Sequence, residues 1–222
     1  MEIYRTEEEQ LEVLKSWLQR NGRAMAIGIS VALIIVLGYQ LWKSNRQSYN
    51  QSASLAYQDV IEAAQKAATA PTKPGVKSSA SLEAMTVNTL GEKLIQDYPR
   101  SVYAQLTALL LAKQDLHDGQ VKKSIDHLQW VLDRDPEDNL RYLVQLRLAR
   151  VLFSANRSAE AQALLAIKKD NAYFPLYKEL SGDILAAQGK IAEAKKSYQA
   201  ALDVLAKQKE NAPFLKMKLD NL

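Results

Sequence analysis

The sequence predicts an all-α protein, with one membrane-spanning helix near the N-terminus and an α-solenoid of stacked helix pairs behind it. Three observations carry this. Residues 24–42 contain no ionisable side chain. From Ser81 onward apolar residues recur at helical spacing, with almost no strand signal, between short breaks rich in Gly, Asn and Asp. The same set of small and large residues returns at offsets of 33 and 37 residues, and self-similarity of that period marks repeat architectures.

Residues 1–23 form the first segment. Thr6 and Glu9 have the spacing of a capping box, which predicts a helix starting near Glu7. Leu11, Leu14, Trp17 and Leu18 then share one helical face, and Asn21-Gly22 is expected to end the helix. Its acidic start and basic end suit the helix dipole. Such a segment serves either as a docking helix on the cytoplasmic membrane surface or a membrane partner, or as a stable lead-in to the apolar stretch behind it.

Residues 24–42, AMAIGISVALIIVLGYQLW, are the second. At about 1.5 Å per residue they reach roughly 28 Å, the hydrocarbon thickness of a bilayer. Their Ile, Val and Leu residues contribute about −4 kcal/mol to insertion, which Gly28, Ser30, Gly38 and Gln40 weaken without reversing. Tyr39 and Trp42 stand where an aromatic interface belt would be. A cleaved signal peptide needs small residues at its end, and here the apolar run meets Tyr39-Gln40-Leu41-Trp42-Lys43 instead. A buried core helix is rarely apolar on every face at this length. The stretch reads as an uncleaved anchor. Arg5, Lys15, Arg20 and Arg23 precede it and only Lys43 and Arg46 come closely after it, which orients the N-terminus inward and the C-terminal part outward.

Residues 43–80 read as a helical stalk and linker. Leu55, Ala56, Val60, Ala63, Ala64 and Ala67 hold helical positions, nothing interrupts the helix after the span, and TAPTKPGVKSSA (69–80) is a loop.

Residues 81–222 carry the repeats. In the clearest unit, Gly182, Leu185, Gly189, Ala194, Tyr198, Ala201 and Leu202 follow the tetratricopeptide pattern of small, large and turn residues. The small ones let paired helices approach and the large ones fill the holes between pairs. Earlier units read Ala149, Leu152, Asn156, Ala161, Leu165, and before them Ala112, Gly119, Ser124, Leu128, Val131, Leu132, closed by Pro136. Asp115 and Lys168 depart from the pattern, which prefers apolar or small residues there. Residues 81–98 are expected to cap the stack and 212–220 to close it.

The chain of 222 residues leaves about 180 for a soluble domain. Its formal net charge of +4 is spread out, with no polybasic block, so the charges read as a solvated surface and exclude nucleic acid as the expected partner. The lack of cysteine suits an exported domain free of disulfides. His117 and His127 fall ten apart on different predicted helices and read as surface or groove residues rather than ligands, since a metal site would need further neighbours of the right type. No HExxH, CxxC, phosphate-binding glycine loop or glycine-flanked serine occurs. No enzyme, cofactor or metal is expected, and binding remains. In a tetratricopeptide array the first helix of each pair lines the concave surface, here Leu109 and Lys113, then Leu146, Arg150 and Phe153, then Glu179 and Asp183. Apolar floor and scattered charge would hold a peptide segment; alternatively the apolar members are buried between helices and the charges solvated.

MEIY with its acidic run, Asn21-Gly22-Arg23-Ala24, SASLAYQ (52–58), Asn139-Leu140, LRLARV (146–151) and the terminal MKLDNL (217–222) resemble, over the whole chain, the ancillary SecYEG translocon subunit family. The resemblance implies a single-pass protein of the cell inner membrane, with a cytoplasmic N-terminus and a periplasmic repeat domain. It implies contact with the Sec translocon and the periplasmic chaperone PpiD, help in passing exported unfolded chains to periplasmic chaperones, and a link to the Rcs stress-response regulator. A tetratricopeptide scaffold for envelope assembly, or a regulator acting through residues 1–23, are the alternatives.

Overall fold

A computed structural model describes residues 7–69 and 79–222. Among the described residues every regular element is an α-helix: α1 (Glu7–Thr69), α2 (Ser79–Asp97), α3 (Val102–His117), α4 (Val121–Leu132), α5 (Asp138–Ser154), α6 (Ser158–Ala163), α7 (Phe174–Ala187), α8 (Ile191–Lys207) and α9 (Pro213–Asp220). The all-α class expected from the sequence is what the structure shows. Thr6 of the capping box and residues 70–78 of the expected loop lie outside the described residues.

The chain divides into two units, one ending at Ser52 and the other running Ala53–Leu222. In the first, α1 carries the apolar segment, and it is long and apolar enough to cross a membrane, with none of that segment buried. Ile34 is 69% exposed and Leu41 73%. Side chains of this kind gain about 1.5–3 kcal/mol each on leaving water, so lipid is the environment that suits them. The expected stop at Asn21-Gly22 does not occur: α1 passes through both residues. A mid-helix glycine costs only about 1 kcal/mol, too little to break a helix that continues into nineteen apolar residues, and Asn21 Nδ2 donates to the Trp17 carbonyl one turn back.

In the second unit α3 pairs with α4, α5 with α6 and α7 with α8, and α9 packs on α8. The alanine-rich face of residues 53–69 is a packing face, since Ala53, Val60 and Ala63 are buried and the Tyr57 ring lies 5.5 Å from that of Tyr103. The main core gathers Val87, Leu94, Leu111, Leu128, Val131, Val144, Leu148, Leu152, Tyr177 and Ile184. A smaller cluster of Tyr198, Ala201 and Leu215 seals the end under α9.

The breaks fall where local chemistry puts them. Ser101 caps α3 by accepting from Ala104 N at 3.1 Å. Gly119 and Gly189 end α3 and α7 at φ 74°, a left-handed conformation open to glycine at little cost. Asn156 holds the same role after α5 at φ 60°, as the residue that tolerates it next best. The two departures from the repeat also resolve. Lys168 lies in the loop after α6, so no helix has to accommodate it. Asp115 is buried, and His127 of α4 meets it.

Candidate functional site

The seven expected groove residues all lie on the first helices of the repeats, α3, α5 and α7, and the structure brings three of them together. Leu109 and Lys113 of α3 and Arg150 of α5 line one cleft of about 380 Å³, together with Ala112, Leu116, Ser124, Leu128, Arg147 and Val151. Ligand pockets occupy roughly 300–1,000 Å³. Leu109, Ala112, Leu128 and Val151 form a buried apolar floor, and Leu116 is 42% exposed at the edge. The floor is sealed by Ser124, whose Oγ donates to the Ala112 carbonyl at 2.7 Å and ties α4 to α3. Above it stand Lys113, Arg147 and Arg150, all exposed. No carboxylate lines the cleft.

The other four expected residues sit elsewhere. Leu146 is buried at 2% exposure, and Phe153 packs half-buried against the core. Glu179 and Asp183 on α7 are engaged by the chain itself. Lys218 of α9 donates to Glu179 Oε1 at 2.8 Å and to both Asp183 oxygens at 2.9 Å. Burial alone would lower the Lys218 ammonium, but the hydrogen bonds to Asp183 and Glu179 outweigh it and raise it above its ordinary value. Tyr198 completes this network, its hydroxyl donating to Asp183 Oδ1 at 2.8 Å. Burial, then the Asp183 hydrogen bond, push its phenol up.

Two further polar clusters join helices. His127 of α4 sits between acids, with Nδ1 2.8 Å from Asp115 Oδ2 and Nε2 3.1 Å from Glu92 Oε1, so α2, α3 and α4 share one clamp. Tyr177 of α7 reaches α5, donating to the Tyr142 carbonyl at 2.8 Å, and burial raises its phenol. His117 is exposed. Among the described residues no three His, Cys, Asp or Glu side chains converge as metal ligands would.

Sequence reasoning passed over Leu116 and Arg147, although the signal was present. Leu116 stands two turns beyond Leu109 and Arg147 one turn before Arg150, each on the face of a residue already chosen. The Lys218 contacts had no such signal, because 35 and 39 residues separate it from its partners.

Comparison with known proteins agrees with this architecture. A family described as a tetratricopeptide repeat-like domain matches residues 15–222. The Ancillary SecYEG translocon subunit of Escherichia coli (strain K12) is 28% identical over 100% of this chain and 99% of its own length. Its namesake in Neisseria gonorrhoeae is 28% identical over the full length of both chains. The protein of the same name in Haemophilus influenzae is 24% identical over 97% of each. The resemblance read from the residues is borne out.

Proposed function

The chain belongs to the tetratricopeptide repeat-like domain family, and from that premise we propose that it is a membrane-anchored accessory subunit of the Sec translocon. The observation that carries this reading is its end-to-end likeness to proteins named ancillary SecYEG translocon subunits. The exposed apolar stretch of α1 supplies an anchor of the right length. In this reading residues 1–23 lie in the cytoplasm and 24–42 cross the inner membrane. The repeat-bearing unit then stands in the periplasm, as the excess of Arg and Lys before the span favours. The repeat surface makes protein contacts that help exported chains pass from the channel to periplasmic chaperones, PpiD among them. The family is of a non-catalytic kind, and binding rather than turnover is its work.

A second reading rests on the amphipathic start of α1, where Leu11, Leu14, Trp17 and Leu18 are all about half exposed or more. A cytoplasmic regulator, the Rcs response regulator in this proposal, would use that face.

Photocrosslinking probes at Trp17 and Arg150 in intact cells test both. Adducts of Arg150 with translocon or periplasmic chaperone subunits support the first reading. Adducts of Arg150 confined to cytosolic proteins reverse the topology and sink it. Adducts of Trp17 with a response regulator support the second.

A further inference from the structure

Some of the unit's basic side chains are matched within the chain. Arg141 meets Asp135 at 2.7 Å and Asp138 at 3.1 Å, Arg157 meets Glu160, and Lys218 meets Glu179 and Asp183. Arg134 lies over the Trp130 ring at 3.5 Å. Lys113, Arg147 and Arg150 are set apart from the other unmatched cations by where they stand. They gather around one cleft from two helices, face no lining carboxylate, and have no ion pair among the described residues. Like charges held around an apolar floor repel one another until an anion arrives, so this cleft is complementary to acid and oil together.

We propose that the α3–α4–α5 cleft docks a protein segment in which apolar side chains are flanked by Asp or Glu. This deepens the reading of the repeat unit as a protein-contact surface and rests on it. The apolar side chains enter over Leu109, Leu116, Leu128 and Val151, while the carboxylates meet Lys113, Arg147 and Arg150. The arrangement disfavours a nucleic acid, because no aromatic ring lines the cleft for base stacking. It also disfavours a small inorganic anion. The Ser124 hydroxyl is spent on the Ala112 carbonyl, and the floor is otherwise apolar. The site is local to these helices, since the acids of α7 are engaged by Lys218 and do not line it.

The test uses the full chain in lipid nanodiscs and two fluorescent helical peptides with identical leucines, one bearing Glu and the other Lys at every charged position. The Glu peptide should bind on the order of tenfold more tightly, with the margin shrinking as salt rises. Arg150→Glu should weaken it about fivefold, as for one exposed ion pair lost. Lys113→Glu with Arg147→Glu and Arg150→Glu should invert the preference, whereas Lys195→Glu on the exposed face of α8 should change nothing. Should the triple reversal unfold the chain, the Gln versions at the same positions should still abolish the preference. Equal binding of both peptides, no binding of either, or equal binding of an oligothymidylate of matched charge would each overturn the proposal. Translocon adducts in cells without Glu-peptide binding would defeat the cleft alone. Glu-peptide binding without such adducts would defeat the translocon reading and leave the cleft intact.

Discussion

Gly182→Ala is the perturbation that asks most of this fold. Gly182 sits in α7 where it faces α8, and a Cβ built there collides with the edge of the Tyr198 ring at Cε1 and Cδ1, with even Cζ only 3.0 Å away. Tyr198 has nowhere to go. It is 3% exposed, and its hydroxyl is fixed to Asp183, which Lys218 holds in turn. Alanine would by itself favour the helix by about 1 kcal/mol over glycine. Overpacking a filled interface costs about 1–3 kcal/mol, and a rigid, hydrogen-bonded ring belongs at the upper end of that range. The balance is a destabilisation of about 2 kcal/mol. For a unit of this size it lowers the melting temperature by about 4–8 °C. Thermal unfolding of the full chain in detergent, monitored by far-ultraviolet circular dichroism, reads it. Gly91→Ala is the comparison, because its Cβ would meet the Leu111 and Thr107 methyl groups at 3.0–3.1 Å, a milder approach that a shift of a few tenths of an ångström relieves. Its melting temperature should shift by less than half as much. If Gly182→Ala melts at or above the parent, the close approach of α7 to α8 is not what requires glycine, and the packing argument for the repeat fails.

The polar clusters make two further outcomes testable. His127→Leu strips the buried Asp115 carboxylate of its partner and should cost about 3 kcal/mol in denaturant unfolding. Asp115→Leu with His127→Leu should recover most of it, and a double variant as unstable as the single would show that the clamp is not the source. The Tyr177 and Tyr198 phenols and the Lys218 ammonium all have folded-state values raised above their unfolded ones. Their stabilisation is therefore whole below about pH 10 and is lost as pH climbs through the folded values. Melting temperature should hold from about pH 7 to 9 and fall steeply above 10. A flat profile to pH 11 would contradict the network, and in Tyr198→Phe the fall should be shallower.

Short-range chemistry made much of this protein legible from its residues. The apolar run announces itself by length alone, because no soluble helix needs nineteen residues without a charge. The helix breaks were also local. Gly119, Asn156 and Gly189 stand where the backbone turns left-handed, a demand made within one turn of the chain. The small residue at Gly182 and the ring at Tyr198 were readable as a matched pair because the repeat fixes their offset. Asn21-Gly22 misled because a local stop signal of about 1 kcal/mol competed with the apolar helix that comes after it.

Tertiary structure decided what depends on partners far apart in sequence. Only packing could turn Asp115 from a defect in the repeat into half of a clamp with His127. It also sent Lys218 across 35 and 39 residues to claim Asp183 and Glu179. The candidate cleft was half legible for the same reason. Helical spacing puts Lys113 and Arg150 on the right faces, but which cations remain unpaired is fixed by where every carboxylate ends up. That is a property of the folded unit, since an ion pair is set by a few ångströms in space and not by distance along the chain.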